Sequence, residues 1–219
     1  MSVIQLNKIS KSFRGVRLFE EASAVFEKGK IHGLVGPNGS GKSVLFRMIC
    51  GFLLPDRGII EIDPAYRRGT QGFPDSFGIM IDRPGYLAGQ TGYENLRRLA
   101  QIRGLIGTEE IRRSMKAVGL DPDLRQKMRH YSLGMKQKIA LAQSFMEGQQ
   151  VLILDEPFNA LDERSVQQVR ELLLAFRAEG RTVLLTSHHR DDIEMLCDEV
   201  YRIEDGKLER QPELVSTLT

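Results

Sequence analysis

Gly36-Pro37-Asn38-Gly39-Ser40-Gly41-Lys42-Ser43 fills every fixed position of the phosphate-binding pattern G-x-x-x-x-G-K-[ST]. The flanks decide what it belongs to. Ile31 to Val35 reads as a short buried strand and Val44 to Ile49 as a helix, the strand–loop–helix order that a phosphate cradle requires. Gly36, Gly39 and Gly41 let the backbone turn its N–H groups inward onto an anion, and the following helix adds its positive end. Lys42 is placed to reach the β- and γ-phosphates of a nucleotide, and the Ser43 hydroxyl to ligate a magnesium ion between them. Pro37, Asn38, Ser40 and Val44 complete the expected contact set.

Working outward, Val151-Leu152-Ile153-Leu154-Asp155-Glu156-Pro157 is an apolar run of strand type that ends in two carboxylates. Such a run suits the centre of a parallel sheet, buried on both faces. Asp155 at its C-terminal end would sit beside the cradle, where open α/β sheets bind ligands, and could hold the magnesium directly or through water. Glu156 is placed to orient or deprotonate the water that attacks the γ-phosphate. Acids can also merely terminate a strand, but beside a complete cradle the functional reading is preferred.

The 219 residues suit one domain with a lobe inserted in it, and 41% hydrophobic content supports a sizeable core. Lys plus Arg number 31 against 29 Asp plus Glu, and the resulting net charge of +2 argues against electrostatic capture of nucleic acid. Arg67-Arg68, Arg97-Arg98 and Arg112-Arg113 read as solvated faces. Cys50 and Cys197 lack C-x-x-C spacing and read as reduced core residues of a cytosolic protein. No signal peptide is evident, and no apolar run approaches the roughly 20 residues of a membrane span.

Val3 to Ile9 and Ala22 to Phe26 alternate like strands of an antiparallel edge. Phe13, at a strand exit upstream of the cradle, reads either as a ring that stacks on adenine or as an ordinary core phenylalanine. From about Leu87 to Glu147 the periodicity becomes helical, with Thr91 and Glu94 at capping-box spacing. Glu163 to Glu179 reads as a long helix, Arg181 to Thr186 as a buried strand, Arg190 to Cys197 as a helix, and Asp205-Gly206 as the turn of a final hairpin.

Tyr131-Ser132-Leu133-Gly134-Met135-Lys136-Gln137 lies shortly before the Asp155-Glu156 strand, and with it the chain resembles the nucleotide-binding subunit of an ATP-binding-cassette (ABC) transporter from about Val3 to Lys207. The family signature reads LSGGQ; YSLGM keeps its serine and second glycine. The resemblance implies an α/β fold: a P-loop NTPase core with a mainly parallel central sheet, an N-terminal antiparallel β edge and an inserted helical lobe. It implies one domain over 1–219, with the core at 1–86 and 148–219 and the lobe at about 87–147. It also implies ATP and Mg2+ as ligands, with Phe13 as the adenine platform and Val16 beside it. Ser132 and Gly134, preceding a helix expected to start near Met135, would clamp the nucleotide of a second subunit, and Asp162 would contact across that interface. His188 would meet the γ-phosphate, as the switch histidine of Thr186-Ser187-His188.

One departure concerns Asp82, which stands where family members carry glutamine or glutamate. Being shorter, it is expected to reach the metal through water or only in a closed dimer. The implied partners are a transmembrane permease subunit, received by a groove near Arg83-Pro84-Gly85-Tyr86-Leu87, and a second ATPase subunit, identical or different. The implied location is cytoplasmic, peripheral on the inner face of the membrane, and the YSLGM segment together with Gly92-Tyr93-Glu94-Asn95-Leu96 resembles exporters of antibiotics, antimicrobial peptides or ions. The alternatives are a soluble ABC-type ATPase of iron–sulfur assembly or translation, a DNA-repair ATPase with the same head, and an inactive nucleotide sensor. The second would need a long coiled coil, for which there are no heptads; the third is opposed by Glu156 and His188.

Overall fold

Four short apolar runs build the centre of the molecule. In the computed structural model, which describes all residues except 14, 68–73, 83–84 and 213–219, β3 (Ile31–Val35), β5 (Phe77–Met80), β6 (Val151–Leu154) and β7 (Thr182–Thr186) join β8 (Glu199–Glu204) and β9 (Lys207–Arg210) in a six-stranded sheet. The order is β5-β6-β7-β3-β8-β9, all parallel except the last pair. Successive residues of a strand point to opposite faces. Leu152 and Leu154 accordingly enter one core with Val183 and Leu185, while Val151 and Ile153 enter a second with Leu184. Covering on both faces is why these strands read as unbroken apolar runs rather than alternations.

The first core is closed by α2 (Gly92–Arg103), α3 (Thr108–Ala117), α4 (Leu133–Phe145) and α5 (Glu163–Ala178), the second by α1 (Lys42–Ile49) and a separate antiparallel sheet of β1 (Ser2–Phe13), β2 (Val16–Glu27) and β4 (Arg57–Ile62) in the order β2-β1-β4. The first two strands run to twelve residues each, longer than their central alternation suggests. The expected capping box is formed: Thr91 Oγ1 accepts from Glu94 N at 3.1 Å and Glu94 Oε2 accepts from Thr91 N at 2.7 Å. α6 (Arg190–Leu196) precedes β8, and the β8–β9 turn at Asp205-Gly206 has both φ angles positive, at 49° and 76°. Cys50 and Cys197 are free and buried, and burial pushes both thiols up. No helix among the described residues is long and apolar enough to cross a membrane. Arg68, Arg83 and Pro84 lie outside the described residues.

The strand that feeds the cradle carries a fully buried imidazole. His32 Nε2 lies 2.9 Å from the Glu27 carbonyl, which only accepts, so that nitrogen carries the proton. Nδ1 has no hydrogen-bond partner; Glu199 Oε2 stands 3.6 Å away, while the other oxygen of that carboxylate, Oε1, pairs with Lys30 and Arg210 at 2.8 Å each. Burial outweighs the Glu27 and Glu199 contributions and holds His32 below its ordinary 6.5. The sign follows: as pH falls below 6.5 the unfolded chain takes up a proton that the folded chain refuses, so stability is lost between that value and the lower folded one. Unfolding free energies from urea titrations across this window should fall as pH falls, by up to about 1.4 kcal/mol per pH unit, and His32→Gln should remove that component.

Candidate functional site

The parallel register brings three strand ends together. Leu34 pairs with Thr186, and Leu154 with Leu185, so the chain leaves β3, β6 and β7 on the same edge of the sheet. From β3 it enters the cradle through Gly36, at φ 154°, where a Cβ would stand 2.5 Å from the Ile203 carbonyl oxygen; only glycine fits. Gly41, at φ 106°, caps α1 without a side-chain hydrogen bond, and no acidic residue occupies the helix's first turn. The N–H groups of that end are thus left to an anion. Lys42, 8% exposed, folds over the loop and donates to the Gly36 and Pro37 carbonyls at 2.8 and 3.1 Å. Phosphate oxygens are stronger acceptors for an ammonium than neutral carbonyls are.

Ser43 Oγ donates to Asp155 Oδ2, joining the cradle to β6. Asp155 Oδ1 accepts from Thr186 Oγ1 at 2.7 Å, and the same hydroxyl accepts from Glu156 N at 2.8 Å. Thr186 therefore spans both acids. Glu156 has φ 52°, a left-handed backbone at a non-glycine residue, and its Oε1 lies 3.0 Å from His188 Nε2 without the alignment of a hydrogen bond. Burial raises the Glu156 carboxyl above the ordinary carboxylate range, against the opposing pull of His188. Lys42, Ser43, Asp155, Glu156 and His188 line one cavity of about 250 Å3 together with Leu18, Asn38, Gly39, Gly41 and Val44. A partly buried carboxylate with raised affinity for protons, facing a cationic phosphate cradle, is suited to accept a proton from water attacking a phosphoryl group.

The remaining candidates lie elsewhere. Phe13 ends β1, 43% exposed, with Lys11 Nζ 5.3 Å from its ring centroid, and Val16 opens β2 opposite it; neither lines the cavity. Asp82 follows β5 at φ 62°, and both its carboxylate oxygens lie 2.7 Å from Arg47 Nη2. It lines a different hollow of about 500 Å3. Ser132 caps α4 by accepting from Met135 N at 3.1 Å, and Asp162 caps α5 by accepting from Ser165 N at 2.8 Å. Gly134 does not precede α4, as its sequence position suggests; the helix starts at Leu133 and holds Gly134 in its first turn, because Ser132 supplies the cap. Thr186 and Leu18 were not singled out as site residues from sequence. A threonine closing a buried strand was a readable signal for the first, and nothing marked the second.

A phosphate cradle, a strand-end acid pair and a facing histidine on one sheet edge define a P-loop ATPase. Residues 19–159 match the model of the ABC transporter family. The chain is 35% identical over 213 residues to the uncharacterized ABC transporter ATP-binding protein YybJ of Bacillus subtilis (strain 168), covering 97% of this chain and 98% of that one. It is 32% identical to the bacitracin transport ATP-binding protein BcrA of Enterococcus faecalis, over 94% of this chain and 68% of that one. A solved structure of an ATP binding subunit of an ABC transporter superposes with a TM-score of 0.83 at 27% identity, covering 96% and 90% of the two chains. The chain belongs to the ABC transporter family, as a subunit that binds and hydrolyses ATP to energise transport across a membrane.

Proposed function

We propose that this chain drives export of an antibiotic-like compound through a separate transmembrane permease, working as a dimer in which two ATP molecules lie between the cradle of one subunit and the α4 end of the other. The observation that carries the reading is the division of the site: the 250 Å3 cavity gathers Lys42, Ser43, Asp155, Glu156 and His188, while Ser132 and Gly134 stand on a helix end outside it. A helix end separated from its own cradle is available to the nucleotide of a second subunit. The bacitracin transport relative supports the class of compound.

The cradle amides and Lys42 bind the phosphates, and Glu156 takes the proton of the attacking water, its affinity for that proton enhanced by burial. His188 orients the terminal phosphate, and Phe13 with Val16 takes the adenine. The Ser43 hydroxyl and Asp155 carboxylate, which already meet, are hard oxygen donors of the kind Mg2+ prefers. Bound there, Mg2+ would neutralise charge on the phosphates. Asp82 would join this set only after Arg47 releases it, and Asp162 would serve the interface beyond its capping role. The lobe at 87–147 would move against the core.

The hollow of about 500 Å3 supports the permease contact. Phe77, Met80, Leu99 and Ile102 give it apolar walls, with Arg47, Asp82, Arg103 and Glu147 around them, a composition suited to a short amphipathic helix. Ile102 is 79% exposed there. The expected outcome is that the chain co-purifies from membranes with a hydrophobic polytopic subunit, and that Ile102→Glu reduces recovery of the pair at least tenfold while ATP binding stays within twofold. Recovery of the wild-type chain alone, fully active and without a polytopic partner, would favour a soluble ABC-type ATPase.

A further inference from the structure

One side chain from outside the cavity holds the backbone of the catalytic carboxylate. Gln137, half-buried on α4, donates from Nε2 to the Glu156 carbonyl at 2.8 Å and to the Pro157 carbonyl at 3.2 Å. Glu156 needs such support, because a left-handed non-glycine backbone persists only where its surroundings over-determine it. On its other side the Glu156 N–H is held by Thr186 of β7. The residue is thus fixed at its nitrogen from the sheet and at its oxygen from α4. The same turn contains Ala160, also left-handed at φ 62°, and its carbonyl faces Gly134 so closely that a Cβ on residue 134 would stand 2.6 Å away. Residues 134 and 137 of one helix end therefore grip both ends of the 156–160 turn.

We infer that Gln137 is a positioning residue for ATP hydrolysis: it aims the Glu156 carboxylate into the cavity and passes displacements of the α4 end to it. The first half stands on the hydrolytic activity alone. The second rests on the dimer proposed above, in which the α4 end meets the nucleotide of the opposing subunit. Occupancy of one site then adjusts the base of the other, through two carbonyl hydrogen bonds within one subunit. The contrasting role is a half-buried amide that only staples α4 to the sheet.

The test is steady-state Mg-ATP hydrolysis by the purified full chain carrying Gln137→Met, which keeps the length without the donors, and Gln137→Lys, which restores a donor. The expected result for Gln137→Met is kcat at least tenfold lower, with KM within twofold and Tm within a few degrees; Gln137→Lys returns kcat to within threefold of wild type. A stapling role lowers Tm and leaves kcat unchanged, and that result overturns the inference, as does a lysine variant as slow as the methionine one. Should Gln137→Met fail to fold, Gln137→Asn, one methylene too short, is read in the same way, and wild-type kcat in it overturns the inference. Cooperativity in ATP that is present in wild type and lost in Gln137→Met supports the relay; a Hill coefficient of one in both removes it. Absence of an ATP-dependent wild-type dimer would remove the dimer reading and leave the kcat comparison standing.

Discussion

Parallel hydrogen bonding between β3, β7 and β6 is the constraint on which the site depends. A cradle needs a strand to launch it, an acid pair needs a strand to end on, and the histidine needs a third. Only a register that ends all three together places Lys42, Glu156 and His188 around one 250 Å3 space. The register is enforced by burial: a one-residue slip would exchange the side chains of β6 and β7 between two differently shaped cores. The chemistry is thus positioned by apolar residues that take no part in it.

Within that frame the charges are arranged by what each carboxylate touches. Asp155 is satisfied on both oxygens, by the Ser43 and Thr186 hydroxyls. Glu156, its neighbour, receives no aligned donor on Oε1, and burial raises its affinity for protons. Adjacent acids thereby meet different surroundings, and the raised proton affinity suits Glu156 to exchange a proton. Asp82 meets a third environment, an exposed pair with Arg47 that occupies both its oxygens. That pair joins the end of β5 to α1, so the nucleotide cavity and the larger hollow share the cradle helix as a wall.

Much of this was legible in the sequence because it is written in local patterns. The glycine-lysine run, the apolar strands, the Thr91-Glu94 box and the Asp205-Gly206 turn each act over fewer than ten residues, and each has the expected form. Contacts between distant segments were not legible. Gln137 reaching the Glu156 carbonyl, Arg47 holding Asp82, and Thr186 spanning Asp155 and Glu156 depend on packing that no spacing rule encodes. The start of α4 was misjudged by two residues because Leu133 and Gly134 interrupt the apolar periodicity, while the Ser132 cap extends the helix past them. Phe13 shows the same limit: its position left an adenine platform and a core phenylalanine open, and the fold gives an exposed ring beside Lys11, outside the cavity lining and outside the core.

Completion of this site by a second subunit, as proposed, is tested by the mass of Glu156→Gln by light scattering, with and without Mg-ATP. Removing the base should trap the nucleotide-loaded state. The variant is expected to be a monomer without nucleotide and to double in mass with Mg-ATP. A mass that stays monomeric while ATP binding is demonstrated would contradict self-pairing and require an unlike partner cassette or the permease to complete the site.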